Sequence, residues 1–172
     1  METKEVQPRW VSLLIVAGAG CFIFALLVSA IFDPMIRLLH LLQALIYVAV
    51  IVLARRSSPW GFGAGFTISL FWNYVNLFVT TFIAAGLHQL WGLLSTGHLG
   101  RPDLFIALIA AGGHVLLIVG CAAGFLRRRP SLADWGKFVA GGVLAVAYFA
   151  AIIVTTGPQY IPLLKRVFRI GG

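Results

Sequence analysis

The sequence predicts an all-α membrane protein: a polytopic helical bundle of about five transmembrane helices with a short interfacial helix near the C-terminus. Sixty per cent of its 172 residues are hydrophobic and 10% are charged, whereas a soluble domain carries about 25% charged residues. A soluble domain of about 150 residues leaves about 30% of its surface exposed, so much of this apolar surface would face water. No stretch alternates apolar and polar residues as membrane-barrel strands do. Lipid is therefore the simplest solvent for the chain.

Five apolar segments approach or exceed the roughly 20 residues that a helix needs to cross hydrocarbon. They cover residues 10–32, 36–54, 61–86, 104–126 and 135–156. Polar residues and prolines separate them, because proline cannot continue a helix. We therefore predict one transmembrane domain over residues 1–172.

The first segment also has features of a secretory signal peptide. Lys4 and Arg9 precede the apolar stretch, and the small triplet Val28-Ser29-Ala30 looks like a cleavage site. The apolar stretch is longer than the hydrophobic region of a signal peptide. We therefore predict a retained transmembrane helix.

The cations predict a cytoplasmic N-terminus, because Lys and Arg concentrate in cytoplasmic loops. In that orientation the outer loops hold only Arg37 and Arg101. The inner segments hold Lys4, Arg9, Arg55, Arg56, Arg127, Arg128, Arg129 and Lys137. The location predicted is the plasma membrane, which would be the inner membrane of a bacterium.

The tail departs from this distribution, since five crossings place Lys165, Arg166 and Arg169 outside. Residues 159–170 have apolar and basic residues on opposite sides of a helix, which predicts an amphipathic helix at the membrane surface. An even number of crossings is the alternative. The connection over residues 87–103 is too short to cross, and a surface helix is favoured there over a re-entrant segment.

The third segment carries a polar stripe. Ser69, Asn73, Asn76 and Thr80 are spaced by four, three and four residues, so they share one side of a helix. The stripe must face other helices or water, because hydrocarbon offers no hydrogen-bond partner. Hydrogen bonds between helices are the preferred interpretation, with Gln43 of the second segment as a partner. The alternative is a ligand lining framed by Trp72.

His114 lies near the middle of the fourth segment, after two alanines and two glycines that would admit a helix or a flat ligand such as a porphyrin or quinone. A hydrogen-bonded packing histidine is the preferred interpretation. A membrane haem is normally held by two histidines at the same depth in the bilayer, and no other histidine of the sequence lies at the depth of His114. His40 and His88 both lie toward the predicted outer side and are the alternative pair of ligands. No metal site or cofactor is predicted.

Small residues predict close contacts between helices, within the chain or with a partner. The pairs are Gly120 with Gly124 and Gly141 with Ala145.

The third segment is preceded by Ser58-Pro59-Trp60, and Trp72-Asn73 follows twelve residues after Trp60. This arrangement resembles the motif of bacterial SPW-repeat membrane proteins, in which paired helices recur. The resemblance covers one stretch, residues 58–73, and transfers no function.

Few reactive groups are available for catalysis. The five acidic residues lie in the N-terminal segment or at segment ends, which disfavours proton-coupled transport, and no hydrolase motif is present. The net charge of +8 sits in clusters between apolar segments, so nucleic acid is not an expected partner. The sequence favours a non-catalytic subunit or scaffold that packs with other membrane proteins or itself. The alternatives are a binder or transporter of an uncharged hydrophobic or lipid-like molecule, and a haem or quinone redox subunit.

Overall fold

The computed structural model describes residues 7–168, and these residues form helices and short connections. The helices are α1 (Arg9–Phe32), α2 (Arg37–Arg55), α3 (Pro59–Tyr74), α4 (Phe82–Thr96), α5 (Pro102–Leu126), α6 (Leu132–Thr156) and α7 (Ile161–Phe168). Three-residue 3-10 turns precede α2 and α7. The predicted helical class is therefore confirmed for the described residues.

Helix starts follow familiar local chemistry. Pro59 and Pro102 occupy the first turns of α3 and α5, where a missing N–H costs no hydrogen bond. At α6 the Ser131 side chain accepts a hydrogen bond from the Asp134 backbone N–H at 3.2 Å, and the Asp134 carboxylate accepts one from the Ser131 N–H at 3.1 Å. This capping box stabilises the start of α6.

The third apolar segment is not the single helix that we predicted over residues 61–86. After α3, the backbone makes a π-helical turn at Val75–Val79, and Thr81 then adopts a left-handed conformation with φ of 58°. A left-handed residue cannot continue an α-helix. The chain therefore starts a new helix, α4, which includes residues 87–96 of the connection predicted as a surface helix over residues 87–103.

Four helices form a closed ring. Helix α1 packs against α2 and α5, and α3 packs against the same two helices. Helix α6 lies outside the ring against α3, with a smaller contact to α2, and α4 packs on α5. The core therefore has one helix on each of its four sides.

Glycines set the closest approach in this ring. A Cβ atom added to Gly113 of α5 would lie 2.7 Å from the Cys21 Cβ and 2.7 Å from the Gly18 carbonyl oxygen of α1. Separations this short are not seen between real Cβ atoms and such neighbours. The close contact between α1 and α5 is therefore possible only because Gly113 has no side chain.

Five helical stretches are long and apolar enough to cross a membrane: Arg9–Phe32, Pro34–Arg55, Pro59–Val79, Pro102–Leu126 and Leu132–Thr156. Only 33–39% of the residues in their most apolar windows are buried inside the protein, so most of these side chains face outward. An outward apolar surface on every long helix is compatible with a multi-pass membrane protein.

Helix α7 folds back onto the end of the bundle where α3 finishes. Leu164 packs against the core, and the Phe168 ring stacks on Phe71 of α3 with 6.0 Å between centroids. Lys165 and Arg166 are exposed. The predicted tail helix is thus present over residues 161–168, whereas Lys4, Arg169 and the end of the 159–170 segment lie outside the described residues.

Candidate functional site

The centre of the ring is an aromatic cluster with one residue from each of the four helices. The Phe22 ring of α1 lies 4.4 Å from Tyr47 of α2, 6.1 Å from Trp72 of α3 and 4.1 Å from His114 of α5, measured between centroids. Tyr47 and His114 are fully buried, and the Tyr47 hydroxyl lies 2.9 Å from His114 Nε2. This hydrogen bond joins α2 to α5 through the middle of the bundle.

The polar stripe of α3 faces this core, as the spacing predicted, but it does not form the hydrogen bonds expected between helices. Ser69 Oγ and Asn73 Oδ1 have no hydrogen-bond partner among residues 7–168. The Thr80 hydroxyl donates to Asn76 Oδ1 at 3.2 Å, a bond within the same segment. Gln43 Oε1 likewise has no hydrogen-bond partner in the described chain, so no stripe residue donates to it.

Several polar atoms at and beside the stripe are enclosed. Gln43, Ser69, Trp72, Asn73 and His114 each contribute one unpartnered polar atom, and each of these atoms exposes less than 1 Å². A surface this small means that no space for even a water molecule adjoins them. These five polar atoms are therefore enclosed by neighbouring side chains, whereas Thr80 at the end of the stripe is partly exposed.

Replacing Ser69 with alanine should stabilise the protein. The hydroxyl is fully buried with no partner within residues 7–168, and leaving a buried hydroxyl unpaired costs about 1–3 kcal/mol. We expect the unfolding midpoint in mild detergent to rise relative to wild type. Thr155→Ala is the control, because the Thr155 hydroxyl donates to the Ala151 carbonyl at 2.9 Å and its loss should not stabilise. A clear fall for Ser69→Ala would show that the hydroxyl is paired in the native protein.

The histidines lie in three different environments. His114 packs against both Phe22 and Tyr47 in the central cluster, with ring centroids 4.1 Å and 5.7 Å away. His40 Nδ1 lies 3.0 Å from the Leu26 carbonyl oxygen, and His88 is exposed on α4. The Phe22 ring lies against the His114 imidazole, and the Nε2 atom is engaged in the hydrogen bond with Tyr47. Within residues 7–168, no three His, Cys, Asp or Glu side chains are grouped closely enough to hold a metal ion.

The predicted helix-packing residues lie in contacts within the chain. A Cβ atom on Gly120 would meet Ile15 of α1, one on Gly124 would meet Phe62 of α3, and one on Gly141 would meet the Trp60 backbone of α3. Ala145 is buried at the edge of a groove. These small residues therefore hold the bundle together.

That groove lies between α2, α3 and α6 and has a volume of about 370 Å³. Its walls are Leu45, Ile46, Ala49, Val50, Leu53, Trp60, Ala64, Gly141, Leu144, Ala145 and Tyr148. Almost all of its lining is apolar. The Tyr148 hydroxyl donates to the Leu42 carbonyl oxygen at 3.1 Å, which fixes the ring beside the deep end.

A second, shallower groove continues from the first along α6. Both are lined by Trp60 and Leu144, and the second extends to Leu132 and Trp135 at the start of α6. The apolar path therefore runs from the end of the bundle to the level of Tyr148. The sequence analysis did not predict this path, because Ala49 and Ala64 belong to no recognisable motif. Only the fold places them opposite α6.

The groove begins at the strongly basic end of the bundle. An Arg128 guanidinium N–H donates to the Ser57 carbonyl, which joins the α2–α3 and α5–α6 connections. The Arg127 guanidinium lies 5.9 Å from the Trp10 ring centre on the α1 side of the same end. Lys137 and Asp134 approach to 4.0 Å on the first turns of α6.

Comparison with known proteins gives no further guide to the site, since no protein-family model, curated protein or solved structure matches the chain.

Proposed function

We propose that this multi-pass membrane protein binds or carries an uncharged hydrophobic or lipid-like molecule in the groove between α2, α3 and α6. The observation that supports the proposal is the groove itself, about 370 Å³ of space with an almost wholly apolar lining. A volume of this size lies at the lower end of the range for small-molecule sites.

The packing explains why the groove exists. Glycines bring α6 close to α3, where added Cβ atoms on Gly63 and Gly141 would meet the Phe138 and Trp60 backbones. Helix α2 also packs on α3 but touches α6 much less. A wedge is left between α2 and α6, and Ala49 and Ala145 keep it open because their side chains are too short to fill it.

The environment limits which interactions can retain a ligand there. Lipid tails are as apolar as the groove, so burial from water contributes nothing once the ligand is in the bilayer. Retention must come from close packing with Trp60, Tyr148 and their neighbours. A flexible apolar chain can follow such a curved wall, so a lipid-like ligand suits the site better than a rigid polar one.

Of the two observations behind the subunit role expected from the sequence, the lack of a reactive constellation is unchanged, but the small-residue faces have another explanation. A partner helix could have used these faces, but Gly120, Gly124 and Gly141 meet other helices of the same chain. A partner protein or a second copy would have to use the outward faces instead. The ligand-binding role is therefore the better supported of the two.

The proposed orientation places the basic end in the cytoplasm, at the plasma membrane. The described residues there include Arg9, Arg55, Arg56, Arg127, Arg128, Arg129 and Lys137, with Asp134 as the acidic residue. This concentration of cations follows the positive-inside distribution. The apolar groove then opens in the inner leaflet.

Filling the groove should abolish ligand retention. Ala49 lines the groove and is exposed, so Ala49→Leu adds bulk without disturbing the core. We expect a purification in mild detergent to retain a hydrophobic molecule with the wild-type chain, and at least about fivefold less with Ala49→Leu, since adding a side chain to an occupied site costs about 1–3 kcal/mol. Mass spectrometry of the extracted small molecules measures both.

Ala147→Leu is the matched control, because Ala147 is an exposed alanine of α6 that does not line the groove. It should retain as much ligand as wild type. Equal retention by Ala49→Leu, with both variants folded, would contradict the proposal.

A further inference from the structure

The mouth of the groove is charged although its walls are apolar. Leu53 is the last groove residue of α2, and Arg56 follows it by three positions. Residues three or four apart share one side of a helix. Arg56 is the first residue after α2, and it still follows the helical path because its N–H donates to the Val52 carbonyl oxygen at 3.3 Å. The side of α2 that lines the groove through Ala49 and Leu53 therefore continues into Arg56, which is exposed.

Helix α6 repeats this arrangement on the opposite wall. Gly141, Ala145 and Tyr148 line the groove at spacings of four and three, and Lys137 lies four residues before Gly141. The Lys137 side chain is 50% exposed, and Asp134 is the acidic group near it, at 4.0 Å. Two cations on different helices thus flank the same opening.

The length of the path suits one leaflet of a bilayer. Eleven residues separate Lys137 from Tyr148 on α6, which corresponds to about 16 Å along the helix. Half of the hydrocarbon thickness of a typical bilayer is about 15 Å. An acyl chain whose headgroup is bound between the two cations would therefore reach the Tyr148 end of the groove within the same leaflet.

We infer that the ligand is an anionic glycerophospholipid, with its phosphate headgroup between Arg56 and Lys137 and an acyl chain along the α2–α3–α6 groove. This inference rests on the proposed function and adds the chemical class of the ligand. Charge complementarity carries it: guanidinium and ammonium groups donate hydrogen bonds to phosphate oxygens, and a zwitterionic lipid would bring a competing cation to the same place. Trp60 and Trp135, which line the two grooves near their mouth, are residue types enriched at the headgroup layer.

Removing both flanking cations should abolish selectivity for the anionic lipid. The full chain is equilibrated with vesicles holding equal amounts of phosphatidylglycerol and phosphatidylcholine with identical acyl chains, then extracted in mild detergent for native mass spectrometry. We expect wild type to retain phosphatidylglycerol preferentially. The preference should fall about fivefold for each cation removed, hence by about 25-fold in Arg56→Gln/Lys137→Gln.

Arg9→Gln/Arg127→Gln is the matched control, because it removes two cations from the same end on the α1 side of the bundle. It should keep the wild-type preference. An equal loss in both double variants would overturn the inference, since the lipid would then respond to the overall charge of this end.

The same measurement separates this inference from the proposed function. Equal retention of the two lipids by the wild-type chain, with loss of both in Ala49→Leu, would overturn the anionic headgroup site and leave the apolar groove supported. Retention of neither lipid by wild type would overturn both. Preferential retention of phosphatidylglycerol that Ala49→Leu and Arg56→Gln/Lys137→Gln each remove would support both.

Discussion

Replacing Gly113 with alanine should lower the free energy of unfolding by about 1–3 kcal/mol, the range for forcing extra atoms into a packed interior. The added methyl would meet the Cys21 Cβ and the Gly18 carbonyl oxygen, both at 2.7 Å, and neither lies at the end of a flexible side chain. Helices α1 and α5 would have to separate along the most extensive contact of the bundle. Thermal unfolding of the purified protein in mild detergent measures the loss.

The preceding residue supplies the control. Gly112 is exposed, and a Cβ atom there would meet nothing within 4 Å. Alanine is more favourable than glycine in a helix by about 0.8–1.0 kcal/mol, so Gly112→Ala should leave stability unchanged or raise it. Equal effects of the two substitutions would show that α1 and α5 do not meet at Gly113.

Replacing Tyr47 with phenylalanine should destabilise the protein by about 1–3 kcal/mol, the cost of leaving a buried polar partner unpaired. The hydroxyl is the hydrogen-bond partner of His114 Nε2, and His114 Nδ1 already has none within residues 7–168. The imidazole would then be buried with both nitrogens unpaired. Tyr74→Phe, at a position that is 45% exposed, should have little effect on the same unfolding midpoint.

A double-mutant cycle tests the cause of this loss. Replacing both partners by apolar groups removes the unpaired nitrogens, so Tyr47→Phe/His114→Phe should cost less than the sum of the single substitutions. A coupling energy near zero would show that the Tyr47–His114 hydrogen bond does not contribute to stability.

The sequence was sufficient to predict the helical class and the number of candidate spans. Length and apolar content determine whether a segment can cross a bilayer, and both are local properties. The inward side of the third span was also predictable, because Ser69 and Asn76 repeat at helical spacing and both are buried.

The break at Thr81 was not predictable from these signals. Residues 61–86 contain no proline or charged residue that would mark a break, and Thr81 is not a residue type that favours positive φ. The turn depends on tertiary contacts, since Gly86 of α4 packs against Leu104 and Leu108 of α5. Periodicity within one segment carries no information about such a distant partner.

The partners of the polar side chains were not predictable either. Spacing placed Ser69, Asn73 and Gln43 on inward sides, but the hydrogen bonds expected between helices depend on depth and rotation. Tyr47, which does pair with His114, lies 67 residues away in sequence. The groove was unpredictable for the same reason. Ala49 and Ala145 come to line one groove only because α2 and α6 pack separately on α3.

The pairing of α1 with α5 has a consequence for biogenesis. Helix α1 ends at Phe32 and its main partner begins at Pro102, so the intervening residues must leave the ribosome before the two can meet. At about 5–20 residues per second this interval is on the order of ten seconds. During that time the face of α1 that carries Gly18 stays without its partner, at the insertion machinery or in lipid. Cys21 is only partly buried in the complete bundle. We therefore expect Cys21 of truncated nascent chains ending before α5 to react faster with a membrane-permeant thiol reagent than Cys21 of the complete bundle.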